Sequence, residues 1–206
     1  TYSGTFKNYM PINIGSGATA MTGIVSRETS TENYADIINH SSDGVYKVPW
    51  YIEEIHIGGL GLVAPQYDTY FNSYILNKGN IEMAGNYSTA IYNFDDNFVS
   101  ESDHITAEGD MATAVYAGSY ALNMISNTDI KANRLMVKGD NGTVLSSNSA
   151  DISIGSFTSG QTMELTADGK NTFAFFYKKH TDNYYGTVPY LGKVSLTSDV
   201  NVNLKN

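Results

Sequence analysis

The sequence predicts an all-β sandwich, and three observations support this fold class. Only 16% of the 206 residues are charged, whereas Ser, Thr, Asn, Gly and Tyr are abundant, a composition typical of strands and turns. Both ends of the chain alternate apolar with polar residues, the pattern of a strand that buries one face. No repeat of about 20 to 50 residues is evident, which argues against propellers and solenoids. The length suits a single domain over residues 1–206.

Charge and cysteine content narrow the possible functions. The formal net charge is −9 and the Lys and Arg residues are scattered, so a surface that follows nucleic-acid phosphates is not expected. The sequence has no run of about eighteen apolar residues, which a membrane-spanning helix would need. It also has no cysteine, which excludes disulfides and thiolate metal sites.

The first part of the chain predicts two strands and one helix. The segment TYSGTFKNYMPINIGSG alternates and is assigned to a strand. Thr29 followed by Glu32 matches a capping box, and the apolar spacing after it predicts a short helix over residues 30–39. The segment YIEEIHIGGLGL predicts a strand that bends at its glycines, which are Gly58, Gly59 and Gly61.

The second part predicts two hairpins and a further strand. RLMVKGDNGTVLSS predicts a hairpin that turns between Gly139 and Gly142, and MELTADGKNTFAFFY predicts one that turns at Asp168-Gly169. MATAVYAGSYALNMI contains alanines that favour a helix, but its valine, tyrosines and central glycine favour a strand. We therefore expect a strand there.

No catalytic residue, cofactor or metal site is predicted. The histidines lie far apart in the sequence and outside metal-binding spacings: His40, His56, His104 and His180. Glu53 and Glu54 are neighbours on a strand and would point to opposite faces, unlike the carboxylate pair of a glycosidase. No GxSxG motif occurs, and the acidic segment NFDDNFVSESDHITAEGD lacks the register of a calcium loop. We expect a solvent-exposed acidic loop and no enzyme activity.

One segment carries a candidate ligand-binding surface. PQYDTYFNSY places aromatic residues beside an aspartate and an asparagine: Tyr67, Tyr70, Phe71 and Tyr74. Flat apolar rings next to hydrogen-bonding groups suit a sugar or a protein surface. A half-buried strand rich in tyrosine would explain the same pattern.

A further pattern joins three segments, TYSGTFKNYMPINIGSG, VPWYIEEIHIGGLGL and SFTSGQTMELTADGKNTFAFFY, in a chain without cysteine. Together they resemble chaperone–usher fimbrial subunits, nearest the cysteine-free adhesive pilins of enterobacteria. The resemblance implies an immunoglobulin-like antiparallel β-sandwich that lacks its last strand and is completed by a donor strand. It also implies an extracellular fimbrium on the bacterial surface, reached through the periplasm. The implied partners are neighbouring subunits, a periplasmic chaperone and an outer-membrane usher.

The resemblance implies a structural and adhesive role with assembly by donor-strand exchange. The N-terminal extension of one subunit, here residues 1–15, fills the groove of another. The positions that match the donor strand are Tyr2, Gly4, Phe6, Met10, Ile12 and Ile14. Adhesive members bind host glycans, which implies a receptor site around Trp50 and in the stretch from Tyr67 to Tyr74.

The last segment, VSLTSDVNVNLKN, departs from the family pattern because no aromatic residue stands next to its end. Either residues 190–197 form the last strand of the subunit and residues 200–204 pair elsewhere, or the tail itself fills a groove. Two functions of other classes also fit the composition. A phage or viral fibre-tip domain that binds a receptor would be trimeric, whereas a carbohydrate-binding module would be monomeric.

Overall fold

The computed structural model describes residues 4–26, 29–47, 54–64, 74–94, 97–119, 127–178, 181–182, 186–187 and 192–205. These residues form strands and turns, and no helix occurs among them, so the prediction of an all-β chain is confirmed. The long sheets are parallel, and only two short hairpins are antiparallel in these ranges. The predicted antiparallel immunoglobulin-like sandwich is therefore wrong.

The chain winds through successive circuits, here called rungs, that stack on one another. The strands of rungs 1 to 3 are β1 (Thr5–Asn8), β2 (Ile12–Ile14), β3 (Thr22–Val25), β4 (Ser30–Asn33), β5 (Ile37–Asn39), β6 (Gly44–Lys47), β7 (Glu54–Ile57), β8 (Leu60–Ala64), β9 (Tyr74–Asn77), β10 (Ile81–Ala84) and β11 (Thr89–Phe94). The strands of rungs 4 to 7 are β12 (Asn97–Glu108), β13 (Thr113–Gly118), β14 (Asn127–Lys138), β15 (Thr143–Asn148), β16 (Asp151–Gly155), β17 (Met163–Asp168), β18 (Phe173–Lys178), β19 (Thr181–Asp182), β20 (Gly186–Thr187), β21 (Val194–Leu196) and β22 (Val200–Lys205). Strands β6 and β7 form one antiparallel hairpin, and β19 and β20 form the other.

Three faces surround the core, and each is a parallel ladder: faces A and B have one strand from each of the seven rungs, and face C has one from each of rungs 1 to 6. Face A contains β1, β4, β9, the first parts of β12 and β14, β16 and β21. Face B contains β2, β5, β10, the second parts of β12 and β14, β17 and β22. Face C contains β3, β8, β11, β13, β15 and β18. The arrangement is a parallel β-solenoid, so the expectation against solenoids is also wrong.

Constant register from rung to rung aligns apolar side chains in inward columns. One column runs along face B: Ile12, Ile37, Ile81, Ile105, Leu135, Leu165 and Val202. Its five central members are fully buried, whereas Val202 is 43% exposed because no described rung covers it. Each rung thus buries the apolar side chains of its neighbours, which is how stacked repeats build a core.

A second inward column, on face A, is polar and consists of Asn8, Asn33, Asn77 and Ser100. The amide of Asn8 donates to Asn33 Oδ1 at 2.8 Å, that of Asn33 to Asn77 Oδ1 at 2.7 Å, and that of Asn77 to Ser100 Oγ at 3.0 Å. Each of the three amides also donates to the backbone carbonyl two residues later in the chain. Because Asn33 and Asn77 are fully buried, these bonds satisfy groups that would otherwise oppose folding.

The corner between faces B and C has the same shape in rungs 3 to 6. It begins with a glycine of positive φ, between 135° and 141°, in each rung: Gly85, Gly109, Gly139 and Gly169. A Cβ added to Gly139 would lie 2.2 Å from the carbonyl oxygen of Gly109, so only glycine fits. The Gly109 amide donates to the Lys138 carbonyl at 2.8 Å, which locks this corner to the next rung.

The connection between faces C and A varies in length. Two residues separate Phe94 from Asn97, whereas eight separate Gly118 from Asn127. As a result, Gly85 and Gly109 are 24 positions apart in the sequence, but Gly109 and Gly139 are 30 positions apart. The repeat is regular in space and irregular in sequence.

The two predicted hairpins are wrong in their pairing, although their strands and turns exist. The turn from Gly139 to Gly142 is a solenoid corner, and the strands that flank it, β14 and β15, lie on different faces. The turn at Asp168-Gly169 separates β17 from β18 in the same way. Each strand pairs with the equivalent strand of a neighbouring rung.

The predicted helix over residues 30–39 is also wrong, because this stretch contains β4 and β5. Thr31 and Asn33 are 2% and 0% exposed on the core side, which is the two-residue period of a strand. Glu32 lies between them on the outer side and binds side chains, so it does not form the capping box that its spacing from Thr29 predicts.

The residues matched to a donor strand lie in the first rung of the protein's own solenoid. Phe6 belongs to β1, which pairs with β4, and Ile12 and Ile14 belong to β2, which pairs with β5. Gly4 and Met10 flank β1, and Tyr2 lies outside the described residues. Donor-strand exchange needs the groove of an incomplete sandwich, and the chain does not form that sandwich. The fimbrial resemblance itself stays a prediction.

Most of the other strand predictions are confirmed, but the predicted acidic loop is not. The C-terminal strand signal is confirmed, with a break over residues 197–199: β21 pairs with β16 and β22 with β17, so neither segment fills a separate groove. The segment predicted as one bent strand forms two strands in different sheets, because β7 pairs with β6 in a hairpin and β8 belongs to face C, with a break at Gly58 and Gly59. The strand predicted from MATAVYAGSYALNMI is confirmed over Thr113–Gly118. The acidic segment, in contrast, contains the long strand β12 and is not a loop over those residues.

Candidate ligand-binding site

The outer surface of face A presents side chains in columns that run along the solenoid axis. In one column the outward residues of successive rungs are Lys7, Glu32, Leu76, Val99, Asp129, Ser153 and Ser195. Beside it runs a second column that contains Tyr74, Asn97, Asn127 and Asp151. Since side chains two apart on a strand share a face, residues of both columns meet on one surface.

Five residues at the start of this surface form what we call the Glu32 cluster: Lys7, Tyr9, Glu32, Tyr34 and Tyr74. The Lys7 ammonium lies 2.8 Å from Glu32 Oε2, and the Tyr34 hydroxyl donates to the same oxygen at 2.6 Å. The Tyr74 hydroxyl donates to Glu32 Oε1 at 2.6 Å. One carboxylate therefore joins β1, β4 and β9, the strands of three successive rungs.

The tyrosine rings of the cluster form a platform. The rings of Tyr9 and Tyr34 are stacked, with centroids 4.9 Å apart and planes inclined by 10°. Tyr9 is 66% exposed, Tyr74 42% and Tyr34 37%, so much of their apolar surface faces solvent. The hydroxyls of Tyr34 and Tyr74 are fixed by Glu32, which orients both rings.

Hydrogen bonding controls the charge state of the cluster. Glu32 is only 8% exposed, yet the hydrogen bond from Lys7, followed by those from Tyr34 and Tyr74, lowers its pKa from 4.5 to about 2. The same bonds to Glu32 raise the pKa of Lys7, Tyr34 and Tyr74. Glu32 is thus ionised at neutral pH, and its proton is lost too readily for it to serve as a general acid.

Sequence analysis found one member of this cluster. Tyr74 was among the candidate ligand-binding residues and lies at its edge, whereas Trp50, Tyr67, Tyr70 and Phe71 lie outside the described residues. Lys7, Tyr9, Glu32 and Tyr34 were missed. A signal for them existed, because KxY and ExY each place two side chains on the same face of a strand.

Other groups of polar side chains do not form a stronger site. His104 Nε2 lies 2.8 Å from Glu82 Oε1, and His104 Nδ1 lies 3.3 Å from Asp103 Oδ2, on the outside of the solenoid. Within the ranges that the structure describes, no three His, Asp or Glu side chains meet as metal ligands would. No helix in those ranges has the length and apolar character needed to cross a membrane.

The chain matches no protein-family profile, no curated protein sequence and no solved structure. Its function must be inferred from the site itself.

Proposed function

We propose that this protein is a glycan-binding module of solenoid fold, with the Glu32 cluster as a sugar-binding site. The observation that carries the proposal is the platform of Tyr9, Tyr34 and Tyr74: the Glu32 carboxylate holds the hydroxyls of Tyr34 and Tyr74, and Tyr9 stacks on Tyr34. Sugars combine apolar ring faces with hydroxyl groups, so they suit exposed aromatic faces that lie beside polar groups.

The polar groups of the cluster support binding in preference to catalysis. Lys7 is 46% exposed at its side chain and has donors left beyond its contact with Glu32. The hydroxyl oxygens of Tyr34 and Tyr74 can still accept a hydrogen bond while they donate to Glu32. Because Glu32 already receives three hydrogen bonds and has a low pKa, it is better suited to hold the platform than to transfer protons.

The proposal is tested by screening the protein against immobilised glycans and measuring affinity for the best binder by calorimetry. Tyr9→Ala removes the most exposed ring of the platform, whose ring contact is with Tyr34. We expect the affinity to fall about two- to tenfold, the value of one aromatic contact. Phe173→Ala is the matched control, because Phe173 is 48% exposed on face C, away from the cluster.

Two outcomes would contradict the proposal. If Tyr9→Ala and Phe173→Ala weaken binding equally, the ligand binds elsewhere on the protein. If no glycan binds, the proposed glycan-binding function is ruled out. The fimbrial setting, with its chaperone, usher and host receptor, stays a separate prediction of the sequence resemblance. A trimer in solution would favour the fibre-tip alternative, and a monomer would favour a free carbohydrate-binding module.

A further inference from the structure

A polar cleft lies on face A at the opposite end from the Glu32 cluster. Its volume is about 240 Å³, and it is formed by rungs 5 to 7, where β14, β16 and β21 meet. The residues that line it are Asn127, Thr128, Asp129, Asp151, Ile152, Ser153, Lys193 and Ser195. It therefore offers two carboxylates, one ammonium, several hydroxyls and an amide to a ligand.

The charges in the cleft are unevenly balanced. The Lys193 ammonium lies 3.6 Å from Asp151 Oδ2, and the Lys193 backbone amide donates to Asp151 Oδ1 at 3.1 Å. No cation among the described residues that line the cleft pairs with Asp129. The cleft thus carries one more negative than positive charge, and the surplus belongs to Asp129.

Asp129 also has an unmet hydrogen-bonding capacity. Its Oδ1 atom is buried and accepts no hydrogen bond from the residues that the structure describes. A buried carboxylate oxygen without a donor is unfavourable, and native proteins usually satisfy such atoms. The Asp129 side chain as a whole is only partly buried and lines the cleft, so a charged donor bound at its carboxylate would offset this cost.

The column between the two sites is suited to a chain of sugars. Glu32, Leu76, Val99 and Asp129 follow one another on successive rungs, so two polar positions flank two apolar ones. With about 4.8 Å between strands, Glu32 and Asp129 stand about 14 Å apart along the solenoid. Sugar rings between the two sites would lie on the apolar side chains of Leu76 and Val99.

We propose that the cleft binds the protonated amine of an amino sugar, within an oligosaccharide that runs along face A to the Glu32 cluster. The inference rests on the proposed glycan-binding function and deepens it by naming the substrate class. Asp129 accepts from the ammonium group, and the hydroxyls of Ser153 and Ser195 bond to the sugar hydroxyls. An acidic sugar is disfavoured because the cleft already has surplus negative charge.

The test compares an oligosaccharide of glucosamine with one of N-acetylglucosamine of equal length, whose nitrogen carries no charge. We expect the glucosamine chain to bind about tenfold more tightly, the value of one hydrogen bond to a charged group. Asp129→Asn should abolish this preference, whereas Asp199→Asn, an exposed aspartate outside the cleft, should keep it. Lys193→Gln removes the competing cation and should strengthen the preference, so it tests the idea even if Asp129→Asn folds poorly.

Amide chemical shifts measured during the same titrations separate the two proposals. We expect chemical-shift changes at both sites: in the cleft over residues 127–129, 151–153 and 193–195, and in the cluster at Tyr9, Tyr34 and Tyr74. Shifts at the tyrosines alone, with equal affinity for both oligosaccharides, would overturn the cleft and keep the proposed function. Shifts in the cleft alone would keep the amine site and overturn the Glu32 cluster as a sugar site. Binding of neither oligosaccharide would overturn the amino-sugar inference, and the glycan screen would then decide the function.

Discussion

At the scale of single residues, Glu32 links three rungs from the outside of the solenoid. Lys7, Tyr34 and Tyr74 each contribute one hydrogen bond or ion pair to its carboxylate. Replacing the carboxylate with an amide should leave the two phenol hydroxyls and the ammonium with one uncharged acceptor oxygen where they now share two charged ones. The residue therefore connects the stability of rungs 1 to 3 to the shape of the tyrosine platform.

Glu32→Gln should make the first rungs less stable and change how stability depends on pH. Because the folded pKa of Glu32, about 2, lies below its ordinary 4.5, the ionised carboxylate favours folding. That contribution is complete above about pH 4.5 and is lost as the pH falls toward 2. Melting temperatures measured across this range should fall more steeply for the wild type than for Glu32→Gln.

The control for this prediction is Glu108→Gln, because Glu108 is an exposed carboxylate at the end of β12. It should melt like the wild type at each pH. A wild type and a Glu32→Gln variant with parallel pH profiles would show that Glu32 does not have the low pKa that its bonds imply.

The sequence identified a residue of the candidate site only where neighbouring residues in the chain indicated its role. Tyr74 was recognised because aromatic and polar residues crowd its segment. Glu32 was assigned to a helix start, because Thr29 and Glu32 have the right spacing and nothing local indicates that Lys7 and Tyr74 lie alongside. Two of its three partners, Lys7 and Tyr74, come from other rungs, 25 and 42 positions away, and only the stacking of rungs brings them together.

At the scale of elements, the glycine at the corner between faces B and C determines how closely rungs can stack. Gly109, Gly139 and Gly169 lie one above another, and a side chain on any of them would meet the carbonyl group of the corner beneath. Their positive φ angles add a second requirement for glycine. Both constraints act at the same position in each of these rungs.

Gly139→Ala should lower the free energy of unfolding by about 1–3 kcal/mol through backbone strain alone, and by more where the corner cannot shift. Gly17→Ala is the matched control: a Cβ there meets no atom within 4 Å, so its effect should stay within about 0.5 kcal/mol. Urea unfolding followed by circular dichroism measures both. An equal effect of the two substitutions would contradict the close stacking of the corner.

The positions of the strands were easier to predict from the sequence than the strands with which they pair. Alternation identified β1, β2, β14, β15, β17, β18, β21 and β22 as strands or strand regions, because a half-buried strand has the same pattern in any sheet. The same local sequence, VKGDNG, suits a hairpin turn and a solenoid corner alike. Whether two successive strands pair with each other depends on residues a full circuit away, and no local pattern contains that information.

At the scale of the whole molecule, contacts run mainly between neighbouring rungs. The long strands β12 and β14 have a paired strand on both sides, whereas β1 and β22 each pair on one side only among the described strands. In a stack of this kind, stability comes from each rung and from the contacts with its neighbours. The outermost rungs should open before the central ones.

Hydrogen exchange followed by mass spectrometry should therefore be slowest in β12 and β14 and fastest in β1 and β22. The physical reason is that an amide in a central rung exchanges only when contacts on both sides are broken. Peptides from β17, in rung 6, provide an internal reference of intermediate protection. Equal protection of terminal and central strands would contradict a stack that opens from its ends.

The solenoid was not recognised in the sequence because its period changes. Glycines at the equivalent corners are 24, then 30 and again 30 positions apart, so a spacing of 30 holds for only part of the chain. The chemical character of each position also changes, since Asn77 and Ser100 align with Ile130 and Ile154 in later rungs. What repeats from rung to rung is whether a residue points into the core or out to solvent. The alternation pattern in the sequence shows this direction within one strand, but it does not show which strand of another rung lies alongside.

The unequal connections between faces C and A have a consequence for protein engineering. Because this corner spans two residues in one rung and eight in another without altering the register of the strands it joins, it can accept added chain at little structural cost. Peptides inserted after Asn148, at one of the two shortest of these corners, and at the equivalent corners of other rungs would be displayed in a row with a spacing fixed by the stack. The scaffold could thus present several epitopes at defined heights along one edge.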